Sequence, residues 1–396
     1  MSVIVSIPSL KPSMDSDMDG TTCLFDFFSF KPQDDTKDKP TYGDTECVIT
    51  SILRVDCDSA FLYLWVYIHQ LIFQKMKHIS ILVPDGDSSL SNLEATFKMF
   101  NMTNKALERA GKLPLFSTHL VGTHKKARSS NGLFSIIPNT TIEEIDKTDL
   151  IIIPAIHGDY KEVVAKNGAF IPWIREQYNK GAEVASLCIG AFILAGTGLL
   201  DGKECATHWL AAREFREMYP KVNLIDDRII TDENGLYTSG GAYSSLNLNL
   251  YLVEKFAGRE MAILSSKIFE IDISRISQSP FIIFKGQKSH SDEEILKAQE
   301  YIEQNYQDRI TIDGLSQKMA LSRRTFERRF KKATSNTVIE YLQRVKVEAA
   351  KKELEKGRKT VNEIMYDVGY NDPKAFRVTF KKITCMTPVE YLNKYN

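Results

Sequence analysis

Cys188 ends the apolar run Glu183-Val184-Ala185-Ser186-Leu187 and is followed by Ile189-Gly190-Ala191-Phe192. A strand that delivers a nucleophile into a sharp turn, with glycine two residues on and a helix behind, is the pattern of a nucleophile elbow. A helix N-terminus carries partial positive charge, so this placement predicts a depressed thiol pKa at Cys188. The same backbone N–H groups predict a seat for a carboxylate or other anion. A second reading stands beside the first, because cysteine is more often a small buried residue under a turn than a reactive group.

A different chemistry is written in the last hundred residues. Ile312-Asp313-Gly314-Leu315-Ser316-Gln317-Lys318-Met319-Ala320 reads as one short helix with Leu315, Met319 and Ala320 as its apolar stripe. Ala320 is small enough for a second helix to cross closely there. Ser322 is a natural N-cap for that second helix, in which Phe326 and Phe330 face inward while Arg323, Arg324, Glu327, Arg328 and Lys331 project outward. Such a face suits phosphates and base edges. Val361–Tyr370 and Lys374–Phe380 repeat the plan about 50 residues on, with Gly369 at C′, Asp372 as cap, Pro373 at N1, and Phe376 and Phe380 as the inward pair. Lys374 and Arg377 are the corresponding outward cations. One amphipathic helix, Val338–Glu355, joins the two units.

Residues from about 289 to 396 therefore resemble the DNA-binding domain of the AraC family of transcription regulators, including Gln343-Arg344 and the closing Thr387-Pro388-Val389-Glu390-Tyr391. The resemblance implies two recognition helices in successive major grooves. Three departures matter. The turns after the recognition helices read Thr334-Ser335-Asn336 and Thr384-Cys385-Met386 where glycine is usual, so Ser335 and Cys385 are strained if φ is positive, whereas Asn336 tolerates that conformation. Val378 stands where a polar residue often reads DNA, which leaves the first reader dominant.

Cys188 through Lys203, continuing to Ala206-Thr207-His208-Trp209, resembles class I glutamine amidotransferase-like domains of the intracellular-protease type, over about residues 77–260. The junction Gln278-Ser279-Pro280-Phe281 is similar to that of regulators joining the two modules. The resemblance implies a histidine at or near the nucleophile and an acid from the first strand–helix segment. Here Ile189 follows Cys188, and the acid position falls near Ser91, with Asp85 and Asp87 as nearby alternatives. His208 is the candidate base, or else caps and packs beside Trp209. His157-Gly158 lies on the rim where an oxyanion donor would sit.

Alternating strands and helices from Ile79 predict a parallel sheet covered on both faces. The strands are Ile79–Pro84, Leu115–Val121, Asp149–Pro154 and Glu183–Leu187, with a helix over Leu90–Ala110, another around Phe170–Gln177, and a hairpin over 127–138 turning at Asn131-Gly132. Ligands bind such sheets beyond the carboxyl ends of the strands, where Gly86, Asp87, Gly158, Cys188 and Ile189 fall. Ser244–Phe256 and Glu260–Ile271 are candidate helices for dimer contacts or for signalling to the tail.

The 396 residues carry no formal net charge, yet from Gly286 onward 22 Lys and Arg face 16 Asp and Glu, a net of +6, against −6 before it. A basic tail suits nucleic acid, and the acidic remainder does not. The six cysteines and seven histidines show no metal-ligand spacing. Residues 1–75 read as a disordered or mis-annotated extension, with Met76 as an alternative start. Its apolar block 60–73 is 14 residues long, short of the roughly 20 that span a membrane. A membrane-attached regulator using this block is nonetheless one alternative.

These features predict an α/β sensor domain (76–271, parallel sheet, amidotransferase-like), a linker (272–290) and an all-α tandem helix-turn-helix domain (291–396). The expected function is a cytoplasmic, sequence-specific transcription regulator. Its expected partners are double-stranded DNA, a small-molecule effector, RNA polymerase and a second copy of the chain. No metal or cofactor is expected. The DNA-binding candidates are Arg323, Arg324, Glu327, Arg328, Lys374 and Arg377, and the ligand-binding candidates are Gly86, Asp87, Ser91, Gly158, Cys188, Ile189 and His208. The alternative is a cysteine-dependent amidase- or hydratase-like enzyme tethered to DNA.

Overall fold

The computed structural model describes residues 76–396 apart from 127, 131–133, 226, 276 and 289. The expectations for residues 1–75, the apolar block included, and for the Asn131-Gly132 turn lie outside the described residues. In chain order the strands are β1 (Lys77–Leu82), β2 (Asp87–Ser88), β3 (Phe116–Gly122), β4 (Arg128–Ser130), β5 (Phe134–Ile136), β6 (Thr140–Thr141), β7 (Leu150–Ile153), β8 (Ile156–His157), β9 (Glu183–Ser186), β10 (Glu204–Cys205), β11 (Asn223–Leu224), β12 (Ile230–Glu233) and β13 (Leu236–Ser239). β4 and β5 pair antiparallel, Ser130 opposite Phe134.

Seven strands form the main sheet in the order β12-β13-β9-β7-β1-β3-β6. All its pairings are parallel except β12 with β13. β7 reads Leu-Ile-Ile-Ile without alternation because both of its faces are covered, and all four residues are fully buried. Ile151 and Ile153 belong to one core with Phe170, Ile174, Phe192 and Phe215, while Leu150 and Ile152 belong to the other with Phe100, Leu248 and Leu252. The β12–β13 hairpin turns at Asn234-Gly235, where both residues have positive φ, as a two-residue hairpin loop requires. The strand pattern does not reveal it.

The helix Ser244–Ala257 carries buried residues on both sides of its first three turns and lies beside the helix Leu90–Arg109. Most of it is therefore unavailable for the dimer contacts that its amphipathic pattern suggested. The next helix, Arg259–Ile268, leaves Ile263, Leu264 and Ile268 exposed.

The tail repeats with a period of 50 residues. Phe326 and Phe330 are fully buried in one core with Ile295, Leu315, Val338 and Tyr341; Phe376 and Phe380 are buried in another with Ile364, Met365, Leu354 and Tyr391. Thr337 with Glu340 and Thr387 with Glu390 form capping boxes at the same point of each unit. The recognition helices, Arg323–Thr334 and Pro373–Thr384, end at Ser335 and Cys385, each at φ +58. It is Ser335 and not Asn336 that takes the left-handed conformation. Each is bracketed by the preceding threonine, whose hydroxyl donates to a carbonyl one turn back (Phe330 or Phe380, 2.8 Å) and accepts the N–H two residues on (Asn336 or Met386, 3.2 Å). Those bonds offset the strain that glycine would avoid.

Ala320 departs from the sequence reading. It lies beyond the helix Ile312–Lys318 at φ +53 and is exposed, so it neither contributes to an apolar stripe nor receives a crossing helix. It occupies the position that Gly369 (φ +73) fills in the second unit. A Cβ disfavours this conformation by about 1–2 kcal/mol, part of which is returned by the lower entropy of the unfolded chain. Ala320→Gly should accordingly stabilise the tail by about 0.5–1 kcal/mol in urea unfolding. Gly369→Ala should do the reverse and cost more, because its Cβ would collide with the Gln307 carbonyl oxygen. Equal effects of the two changes would refute the assignment.

A second expectation concerns acid. His78 and His119 stack at 4.3 Å between ring centroids, across neighbouring strands. Burial lowers the pKa of both below the ordinary 6.5, and at His78 the charge of His119 adds to the effect. Each ring therefore contributes stability that is fully present above about pH 6.5 and is lost as pH falls through the lowered folded-state pKa. His78→Gln with His119→Gln should flatten the fall in melting temperature below pH 6.5; an unchanged pH slope would remove the pair from the acid response.

Candidate functional site

The tail presents its cations on the exposed face of each recognition helix. Arg323, Arg324 and Arg328 are exposed, with Glu327 half-buried beside them. Arg323 is tied to Asp313 at 3.2 Å and to Glu327 at 3.7 Å, which holds the recognition helix to the helix before it. Arg324 and Arg328 stand one turn apart and, among the described residues, have no side-chain partner. In the second unit Lys374 and Arg377 are exposed; the Arg377 Nε donates to the Pro373 carbonyl at 3.2 Å. Val378 is 60% exposed on the same helix, an apolar side chain presented outward. Arg329, which the motif did not single out, serves the fold: its guanidinium grips Asp292, the cap of the helix Glu293–Asn305, and so holds that carboxyl below its usual pKa.

The α/β domain collects its candidates at the carboxyl edge of neighbouring strands. Gly86 and Asp87 follow β1, Gly158 follows β8, and Cys188 and Ile189 follow β9. Asp87 lies opposite His157 in the β2–β8 pair. Gly86 and Gly158 have φ of +131° and +132°, conformations that side chains rarely adopt. Cys188 has φ +55 and is 4% exposed, so the sharp turn of an elbow is present. Gly190 is required there, since a Cβ would lie 2.6 Å from the Ile153 carbonyl oxygen.

The chemistry expected of that turn differs in two respects. Burial raises the Cys188 pKa above its ordinary value, and N–H groups from Ala242 and Ile189 only partly oppose this. The expected depression fails because the thiol lies under the turn, where removal from water outweighs the partial charge of the N–H groups. Two N–H groups of the turn are also already engaged within the fold. Cys188 N–H donates to Ser239 Oγ at 3.1 Å and Gly190 N–H to the Leu187 carbonyl at 2.9 Å. Only a six-residue helix, Ala191–Gly196, follows.

His208 caps the short turn Trp209–Ala211, its Nδ1 accepting the Leu210 N–H at 3.1 Å. Its ring rests against Gly241, where a Cβ would come within 2.6 Å of Cδ2. Burial lowers its pKa, with His157 adding to the effect. The capping reading is thus seen together with a ring packed against the Gly241 backbone. Ser91 is exposed and hydrogen-bonded to Ser89, at 3.0 Å.

The residue that reaches inward from the helix Leu90–Arg109 is Asn92, which no sequence motif marks. Its carbonyl oxygen accepts the Ala155 N–H at 3.1 Å, and its amide donates to Ser245 Oγ at 3.0 Å. Ser245 in turn donates to the Ala242 carbonyl at 2.8 Å, and the Ala242 N–H meets the Cys188 sulfur at 3.4 Å. Tyr160 is likewise unmarked. It stacks on Phe192 at 4.1 Å, and burial raises its pKa, with Glu214 and Cys188 contributing. Neither residue falls in a recognisable motif; only long-range packing brings them to the site. Among the described residues no cluster of His, Cys, Asp and Glu could hold a metal ion, and no helix is long and apolar enough to cross a membrane.

Comparison with known proteins agrees with this division. Residues 315–394 match a helix-turn-helix domain family, and residues 97–255 match the DJ-1/PfpI family. The HTH-type transcriptional regulator GbdR of Pseudomonas aeruginosa is 24% identical over 264 residues, covering 66% of this chain and 70% of that protein. Isonitrile hydratase of Pseudomonas putida is 29% identical over 152 residues, 38% of this chain and 64% of the relative. A crystal structure of a putative transcriptional regulator protein from Vibrio parahaemolyticus, 24% identical, covers 49% of this chain and 99% of that one with a TM-score of 0.45. The chain is an AraC-type regulator, in which a DJ-1/PfpI family α/β domain precedes a tandem helix-turn-helix DNA-binding domain.

Proposed function

We propose that this chain regulates transcription by reading DNA through Arg324, Arg328 and the Lys374–Arg377 face, under control of a small molecule held at the carboxyl edge of the sheet around Cys188. The observation that carries the DNA reading is the pair of exposed basic helices joined by one rigid helix, Val338–Lys356, whose two ends are anchored in separate cores. Helices so fixed enter successive major grooves about 34 Å apart, one turn of the duplex. RNA polymerase and a second copy of the chain are the protein partners this reading brings with it, and the cytoplasm is where it operates. The exposed Ile263, Leu264 and Ile268 are the place to look for the second copy.

On the sensor side, a buried thiol with Ile189 next to it, Tyr160 close enough to feel its charge and the Ala242 N–H on its sulfur favours recognition by shape and hydrogen bonding. A ligand there changes transcription only if it binds one conformation of the chain more tightly than another. The enzyme reading retains one observation in its favour, the left-handed elbow at Cys188 with an N–H donor aimed at its sulfur. Turnover of small isonitriles or amides by the purified chain, lost in Cys188→Ala, would establish it.

Arg324→Ala or Arg328→Ala should each cost about 1–3 kcal/mol on a duplex selected from a random pool by the full chain, and should relax preference at one base pair. Equal weakening on selected and random duplexes would reassign that arginine to the phosphate backbone. For the sensor, a ligand at a hundredfold excess over Kd stabilises the folded chain by about 2.7 kcal/mol, enough to find by thermal shift across a metabolite library. Cys188→Ser should change the affinity for any compound so found while leaving duplex binding in its absence intact. Unaltered affinity would place the ligand elsewhere.

A further inference from the structure

Gln278 lies where the chain leaves the α/β domain, and its side chain is 1% exposed. Its carbonyl oxygen accepts the Gly241 N–H at 3.0 Å, and its amide donates to the carbonyls of Thr207 at 3.0 Å and Arg228 at 3.2 Å. The first two partners belong to the segments that cover Cys188. Thr207 Oγ1 donates to the Cys188 carbonyl at 3.0 Å, and the residue after Gly241 is Ala242, whose N–H meets the thiol. The fit leaves no slack, because a Cβ on Gly240 would lie 2.9 Å from Gln278 Cδ.

The three residues after Gln278 belong to the other module. Ser279–Phe281 form a short turn packed against the second recognition helix, Pro373–Thr384. The Pro280 carbonyl accepts the Tyr395 hydroxyl at 3.4 Å, and the Phe281 ring meets the cations of Arg275 at 4.5 Å and Lys394 at 4.4 Å. Farther on, the Ile282 carbonyl accepts Lys351 Nζ, and the Phe284 N–H donates to Glu348 at 3.1 Å. Lys351 and Glu348 are a buried ion pair on the helix that joins the two DNA-reading units. The buried amide that holds the loops over Cys188 is thus followed directly by a turn that sits on the DNA reader.

We propose that Gln278 is the positioning residue that couples the loops over Cys188 to the second helix-turn-helix, so that displacement of Gly241–Ala242 is passed to the Pro280–Phe281 turn. This rests on the reading that the effector pocket surrounds Cys188. A buried amide bonded to the backbone of Gly241, Thr207 and Arg228 cannot follow one of them without breaking its bonds to the others. Its neighbours on either side, Ser277 and Ser279, have no comparable reach to both modules: Ser277 Oγ donates to the Asp227 carbonyl and accepts the Ser279 N–H.

Hydrogen–deuterium exchange on the full chain tests the coupling without any effector. Phe281→Ala disturbs the turn at the reader. With Gln278 present it should speed exchange of the 240–244 amides about tenfold, as expected for coupled groups. In Gln278→Ala those amides should already exchange faster, and adding Phe281→Ala should change them no further. Should Gln278→Ala fail to fold, Gln278→Glu replaces it: the acceptor for Gly241 remains and the donors to Thr207 and Arg228 are lost, so protection should persist at 241 and weaken over 207–210. The proposal is overturned if Phe281→Ala leaves 240–244 unchanged in the parent chain, or accelerates them equally with and without the amide. Coupling found in a chain whose thermal-shift screen shows no dependence on Cys188 would refute the pocket and keep the link.

Discussion

One helix, Val338–Lys356, is shared by two hydrophobic cores. Val338, Tyr341 and Val345 close the core under the first recognition helix; Val347, Ala350 and Leu354 close the core under the second. Because the same rod is built into both, the distance and angle between the readers are set by helix geometry and not by a hinge. Polar anchors reinforce each end. Tyr341 donates to Glu303 at 2.6 Å and accepts from Gln299 at 3.0 Å, and Tyr391, its counterpart 50 residues on, donates to Glu355 at 2.7 Å. Burial followed by the neighbouring glutamate raises both phenol pKa values, so the hydroxyls stay protonated donors.

The same helix also receives the connection from the α/β domain, through the buried Lys351–Glu348 pair. A buried ion pair is a poor source of stability, since desolvation offsets most of the attraction. Here each partner makes a further bond to the connecting strap, Lys351 to Ile282 and Glu348 to Phe284. What the pair supplies is register between strap and rod. A signal from the α/β domain therefore arrives at the element that fixes both readers.

At the sensor edge, close packing decides the chemistry. Gly190 lets the Cys188 turn approach the end of β7, and Gly241 lets the His208 ring lie against the backbone. The resulting enclosure takes the thiol out of water and raises its pKa, and the Cys188 N–H is bonded to Ser239 Oγ. An elbow in backbone geometry does not by itself lower a thiol pKa, because burial acts in the opposite direction.

Short-range pattern sufficed for the buried strands β1, β7 and β9, the paired phenylalanines, the caps at Ser322 and Asp372, the 50-residue repeat and the basic faces. Periodicity and capping act within a few residues, so they are legible without a partner. Local pattern misjudged Ala320, whose type suggested a helix stripe although its place beyond the helix end demands the conformation of Gly369. The state of Cys188, the inward role of Asn92 and Tyr160, and the bridge made by Gln278 emerge from long-range packing alone. Each depends on groups far away in sequence, Asn92 on Ser245 and Gln278 on Thr207 and Gly241. Desolvation and buried hydrogen bonds are properties of what surrounds a residue, and that is set by the packing of the whole chain.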